Sequence, residues 1–216
     1  MASNSGIGKR RKAAQGEGRE AYQERRREII DAAAQVFKKN GFQGSSIADV
    51  ANQLGMDRAT LYYYIGSKNE LFDEVVTEAV EANVALAESI RDSEASAPEK
   101  LRTLLESLMG SYAAHYPFLY VFIQENLSQV PPKRSAWAAE MRSYNKRYEA
   151  AVVDVIQQGY DAGTLREIGP PWLVAYGLIG MVAWSNRWFD PEKTKADADT
   201  IGRAFADLAL QGLQQK

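Results

Sequence analysis

From about Glu24 to Leu213 the apolar residues return at three- and four-residue spacings between glycine or proline stops, and nowhere alternate strictly with polar ones. A segment with that period buries a single stripe as a helix, whereas a half-buried strand needs a period of two. The chain is therefore expected to be all-α, with about nine helices. Ile29, Ile30, Ala33, Val36 and Phe37 form the first stripe, and Gly41 supplies the left-handed residue that ends it. Ser46-Ile47-Ala48-Asp49 reads as a capping box that opens a short helix over about 47–54, which Gly55 ends. Asp57 caps another over about 58–64, and Gly66 breaks the chain again. Ser67-Lys68-Asn69-Glu70 is a second box, starting a helix that reaches about Ile90. Further helices are expected over about 99–116, 118–127, 135–162, from Pro170-Pro171 to about 189, and over 195–213.

Composition narrows the chemistry. A 45% hydrophobic fraction in 216 residues is enough for a packed core. With no cysteine and one histidine, His115, the chain lacks the means for disulfides, thiolate zinc sites, cysteine nucleophiles or histidine metal clusters. Carboxylates fall at helix-surface spacings, and no glycine-rich phosphate loop follows a strand. Neither an enzyme, a metal nor a cofactor is expected. No window approaches the ~18 uninterrupted apolar residues of a membrane span. The basic start lacks the apolar core of a secretory signal. A soluble, cytoplasmic protein is the expectation.

The net charge of −2 hides an asymmetry. Residues 1–70 carry 12 Lys and Arg against 8 Asp and Glu, and residues 71–216 carry 14 against 20. A basic first third fits one end that meets a polyanion. Residues 1–23 are expected to be a disordered basic tail, too polar to order themselves. Its run Lys9-Arg10-Arg11-Lys12 either touches phosphates or merely solubilises.

The segment from Ser46 to Lys68 carries the functional signal. Two short helices around a glycine turn have the dimensions of a helix-turn-helix, expected to pack on Phe37 and Phe42. The second presents Arg58, Ala59, Thr60, Tyr62, Tyr63 and Tyr64. Short Ala59 and Thr60 let a helix approach base edges. Arg58 suits guanine, and the Thr60 methyl suits a thymine methyl. Tyrosine hydroxyls and Lys68 suit phosphate oxygens, and the amides at the Ser46 and Ser67 helix starts suit anions. Capped helices with a glycine turn also occur in plain helical proteins, so geometry alone leaves DNA binding and simple packing both open.

The stretch REIIDAAAQVFKKNGFQGSSIADVANQLGMDRATLYYYIGSKNEL, residues 27–71, resembles the DNA-binding domain of the TetR family of bacterial transcriptional regulators. The match is dense, running through KNGF, SSIADVANQLG, ATLYYYI and SKNELF. Ala59 stands where many members have glycine, and Ile65 where many have phenylalanine. The resemblance implies a three-helix head over 24–70 and a helical ligand-binding and dimerisation domain over 71–216. It implies a homodimer, most simply a repressor, on a palindromic double-stranded DNA operator. Ser46, Arg58, Ala59, Thr60, Tyr62, Tyr63, Tyr64 and Lys68 are the DNA-facing residues by this resemblance.

In the remainder, aromatic residues crowd interior-like spacings, which fits either a packed core or an apolar pocket with a few polar groups. Candidate ligand contacts are Tyr112, His115, Phe118, Phe122, Trp137, Tyr144, Tyr148, Tyr176, Trp184 and Arg187. His115 is either a polar handle or an ordinary satisfied histidine. Small residues from Ala175 to Ala183 and an apolar stripe from Ile201 to Leu213 suggest a dimer seam. Its candidates are Gly177, Gly180, Ala183, Ile201, Phe205 and Leu208. The C-terminal stretch containing W-x-x-R-W-F-x-P, residues 184–191, is similar to TetR-type regulators of fatty-acid or steroid catabolism. That implies a long apolar or CoA-linked effector, with Arg187 a phosphate partner, within the wider expectation of a largely apolar small molecule such as an acyl-CoA. An aromatic, drug-like ligand fits the same residue types. The competing class is a helical carrier or small enzyme for acyl compounds that never touches DNA. Such a protein has no use for Arg58 and Lys68 beside capped helix starts.

Overall fold

The computed structural model describes residues 19–213, so the basic run from Lys9 to Lys12 lies outside the described residues. Among these residues there are nine α-helices and no β-sheet. They are α1 (Arg19–Gly44), α2 (Ile47–Gln53), α3 (Arg58–Tyr64), α4 (Lys68–Asp92), α5 (Ala97–Ala114), α6 (Phe118–Ile123), α7 (Ser135–Asp161), α8 (Pro171–Ala183) and α9 (Ala198–Leu213). Short 3₁₀ turns, Pro132–Arg134 and Trp184–Arg187, precede α7 and follow α8.

The chain divides into two compact units at Thr77–Glu78, inside α4. In the N-terminal unit α1 packs on α2, and α2 on α3. Ile29, Phe37, Val50, Leu61, Ile65 and Leu71 are fully buried there. Gly41 has φ 70°, so regular α1 ends at Asn40 and a further turn follows. The Ser45 hydroxyl closes that turn by donating to the Gly41 carbonyl at 2.6 Å. Helix α1 begins at Arg19, so residues 19–23 of the tail expected over 1–23 are helical, and the rest of that tail lies outside the described residues. The physical reason is Tyr22, 5% exposed, whose ring lies 5.1 Å from that of Tyr64 and 6.1 Å from that of Tyr63. One buried aromatic anchors a turn that composition reads as solvated.

In the C-terminal unit α5 packs against α7 and α9, and α7 against α8. Leu101, Met109, Leu119, Met141, Ile156 and Leu165 fill its core. A Cβ on Gly202 would stand 3.0 Å from the Glu106 Cα, so glycine there lets α9 lie close on α5. The Arg102–Asp207 ion pair, 2.6 Å, ties the same two helices.

Three helices are shorter than expected. Helix α6 stops at Ile123, and the Asn126 side chain then accepts from the Ser128 amide, an Asx turn that competes with helix. Helix α8 stops at Ala183, where Ser185 forms a buried hydrogen bond with the Tyr120 hydroxyl at 2.7 Å. Helix α9 starts at Ala198, where Asp197 accepts from the Thr200 amide at 2.8 Å. Each difference comes from a side chain competing with backbone periodicity.

Candidate functional site

Helix α3 is held by chemistry at its start. Asp57 accepts from the Thr60 amide at 2.8 Å and from the Thr60 hydroxyl at 2.6 Å. These bonds hold the Asp57 carboxyl below the usual carboxylate range. Because the Thr60 hydroxyl is spent on the cap, its methyl is the part left for recognition. Gly55, φ 62°, makes the turn between α2 and α3, a conformation L side chains rarely adopt. Leu61 and Ile65 anchor α3 from below, while Arg58, Ala59 and Thr60 are exposed together on its first turn. A short helix thus offers one guanidinium, a methyl and a small residue on a fixed frame.

Tyr63 and Tyr64 are half-buried and stack edge to face, 5.0 Å apart, against Tyr22. They shape the flank of α3, with part of each ring left at the surface. Tyr62 is half-buried as well. Ser46 is exposed, and its capping box is complete. Asp49 takes the Ser46 amide at 2.8 Å and its hydroxyl at 2.7 Å, and Glu70 takes the Gly66 amide at 3.0 Å. The expected anion sites at both helix starts therefore already carry a carboxylate. That weakens them as phosphate cradles.

Lys68 is already engaged within the chain. Its ammonium donates to the carbonyls of Phe42 at 2.7 Å and Ser45 at 2.9 Å, and stands 4.4 Å from the Phe42 ring centroid. It satisfies the end of α1 before any phosphate arrives. Lys68→Ala is accordingly expected to destabilise the protein by about 1.5–3 kcal/mol, the usual worth of hydrogen bonds to a charged group. Chemical denaturation checks this. A variant as stable as wild type, with only a flatter salt dependence of DNA binding, would restore the phosphate role.

The C-terminal unit holds a half-open cavity of about 250 Å³. Of the expected ligand contacts Tyr112, Phe122, Tyr144 and Tyr148 line it. The others do not. His115 bonds Ser111, Phe118 is core, and Trp137 packs edge-on to Phe122 at 6.0 Å beneath Arg134. Tyr176 and Trp184 are 50% and 63% exposed, and Arg187 lies over the Trp184 ring at 5.6 Å. Aromatic spacing alone does not say which way a ring faces. The lining missed from sequence includes Val80, Asn83 and Val84 on α4 and Glu125, Asn145 and Glu149. Polar residues at helical spacing read as solvated, so only their convergence in space reveals them.

The expected seam residues also divide. Gly177 and Gly180 are exposed, with nothing within 4 Å of a Cβ at either. Leu208 is 65% exposed. Ile201, in contrast, is buried within the chain itself, and Phe205 packs edge-on to Trp188 at 6.4 Å. Ala183 is half-buried and lines the cavity. A stripe on a helix that already packs on α5 faces inward first.

Residues 29–75 match the family described as bacterial regulatory proteins, tetR family. Residues 94–213 match the tetracyclin repressor-like C-terminal domain. The chain is 26% identical over 193 residues to the HTH-type transcriptional repressor KstR2 of Mycobacterium tuberculosis, covering 89% of this chain and 94% of that protein. The crystal structure of the TetR family regulator PfmR from Thermus thermophilus superposes with a TM-score of 0.71 at 28% identity, covering 87% of this chain and 99% of that one. The fold is also that of FadR from Bacillus subtilis, solved in complex with stearoyl-CoA, at a TM-score of 0.67 and 21% identity, covering 86% and 97%. With a family match over more than half its length and a helix-turn-helix head built as described, the chain belongs to the TetR family of DNA-binding transcriptional regulators.

Proposed function

We propose that the protein is a cytoplasmic repressor that binds a palindromic operator as a homodimer and leaves it when a small, largely apolar molecule fills the cavity. The observation that carries DNA reading is the exposed Arg58-Ala59-Thr60 turn, fixed by the Asp57 cap above a buried Leu61. A rigid donor on a helix start can discriminate bases, whereas a mobile one supplies charge alone.

Dimerisation is supported by what α8 and α9 leave uncovered. Trp172, Leu173, Tyr176, Trp184 and Leu208 are exposed large hydrophobics, and a shallow apolar groove between Leu173, Gly177, Ala209 and Leu213 adjoins them. Exposed apolar side chains of this kind favour an interface, and open space above Gly177 and Gly180 admits a partner helix closely.

Release follows if effector and operator prefer different conformations. Helix α4 is continuous from Lys68, which holds the end of α1, to Val80 and Val84 in the cavity wall. A ligand pressing on those valines acts on the helix that carries Lys68. An acyl-CoA is the second reading, favoured by the FadR complex with stearoyl-CoA. The cavity of about 250 Å³ admits at most part of one, and no lysine or arginine lines it for the phosphates.

Arg58→Ala tests the reading directly. It is expected to relax preference at one base pair per half-site by about 1–3 kcal/mol, with little change on scrambled duplex. Gel-shift titrations on both duplexes check it. Equal loss on both would mean that Arg58 reads no base.

A further inference from the structure

The cavity wall is acidic. Glu125 and Glu149 line it, with the amides of Asn83 and Asn145 and the phenols of Tyr112, Tyr144 and Tyr148, and it has no lysine or arginine. The two carboxylates are not equivalent. Arg134 donates to both oxygens of Glu125, at 2.8 and 3.0 Å, and neutralises it. Glu149 meets no cation among the described residues and accepts a hydrogen bond from the Tyr176 hydroxyl at 3.2 Å. Its negative field is felt there, since it holds the Tyr176 phenol above its ordinary range.

Tyr112 adds a second kind of polar group to the wall. It is only 7% exposed, yet its hydroxyl makes no hydrogen bond among the described residues. Burial, above all, pushes both it and the neighbouring Tyr148 phenol up. The Tyr112 phenol stands on the cavity lining, so a ligand there can hydrogen-bond to it. Phenols accept as well as donate, and amide oxygens accept, so all of these groups can receive N–H bonds. The rest of the wall is apolar, with Val80, Val84, Leu108, Leu119 and Ile179. At about 250 Å³ the space falls below the ~300–1,000 Å³ typical of pockets for drug-sized molecules.

We propose that the effector taken by this cavity is a small organic monocation, an amine whose ammonium group sits against Glu149 and whose apolar body packs on the α4 valines. This rests on the reading that the cavity is the effector site. Charge opposite to Glu149 gains attraction in a partly desolvated site, and a carboxylate of the same shape meets repulsion there.

The test is calorimetric titration of the full-length protein with three matched series on shared carbon skeletons: phenylalkylamines, phenylalkanols and phenylalkanoates. Amines are expected to bind about tenfold or more tighter than the alcohols, with carboxylates weakest. Glu149→Gln is expected to erase the amine advantage while alcohol affinity is kept, and Glu149→Asp to retain it. Leu108→Trp, which fills the space, is expected to abolish binding of all three series. Alcohols or carboxylates binding as tightly as amines, or an unchanged preference in Glu149→Gln, overturns the charge assignment and leaves the effector site standing. Amine binding that survives Leu108→Trp overturns the location. If none of the series binds, the proposal falls. Stearoyl-CoA added to the operator complex then shows, by release or its absence, whether the effector reading falls with it.

Discussion

Gly180→Leu is expected to convert a dimer into monomers and to bring operator binding down toward the non-specific level, about 10³-fold or more. The site isolates the interface. A Cβ at Gly180 meets nothing within 4 Å inside the chain, so a side chain there starts in open space and the folded monomer keeps its packing. Across a two-fold seam each substitution occurs twice, and overpacking a close helix contact typically costs about 1–3 kcal/mol per site. Operator affinity follows because one head reads one half-site, and half the contacts go when the partner leaves. Light scattering gives the mass, and thermal unfolding at low concentration shows whether the subunit is intact. A variant that stays dimeric and binds operator as wild type places the interface elsewhere, despite the exposed Trp184 and Leu208.

The second large effect concerns coupling. Val84→Phe places a ring in the cavity from α4, where Val84 is nearly fully buried. If occupation of the cavity is what weakens DNA binding, a permanently filled cavity is expected to abolish the ligand response. Allosteric couplings of about 1–3 kcal/mol correspond to a 5- to 150-fold change in operator affinity, and that whole ratio is expected to fall to about one. The basal affinity of the variant carries further information. Weak binding without ligand means that the ring mimics the effector, and wild-type binding means that it only blocks entry. Titrating effector into the preformed operator complex checks this, with fluorescence from Trp137, packed on Phe122, reporting occupancy. A full response in Val84→Phe would remove the cavity from the mechanism.

Sequence carried the head further than the C-terminal unit, for a physical reason. The Ser46–Asp49 box, the Asp57 cap and the positive φ of Gly41 and Gly55 are determined within a few residues, so composition and spacing reveal them. Long-range pairings do not announce themselves that way. Lys68 reads as a phosphate contact because the carbonyls it serves lie 26 and 23 residues away. Tyr22 reads as part of a polar tail because Tyr63 and Tyr64, which bury it, are on another helix. In the C-terminal unit the aromatic residues were visible but their facing was not. Trp172, Tyr176 and Trp184 share helical spacing with buried neighbours and yet point outward, while Asn83 and Glu149, which spacing assigns to solvent, line a cavity. An apolar stripe likewise cannot say which partner it meets. Ile201 is buried within the chain and Leu208 is left exposed.

Operator selection tests the central claim most directly. Random duplex DNA is enriched on the full-length protein at moderate salt, and the recovered sequences are titrated with wild type and Arg58→Ala. The expected result is an inverted repeat whose half-sites lie about one helical turn apart, bound by two subunits. Its specificity over scrambled duplex is expected to be about 10³-fold or more and to fall when Arg58 is removed. Enrichment of no common sequence, with affinity that tracks salt alone and ignores Arg58, would contradict it.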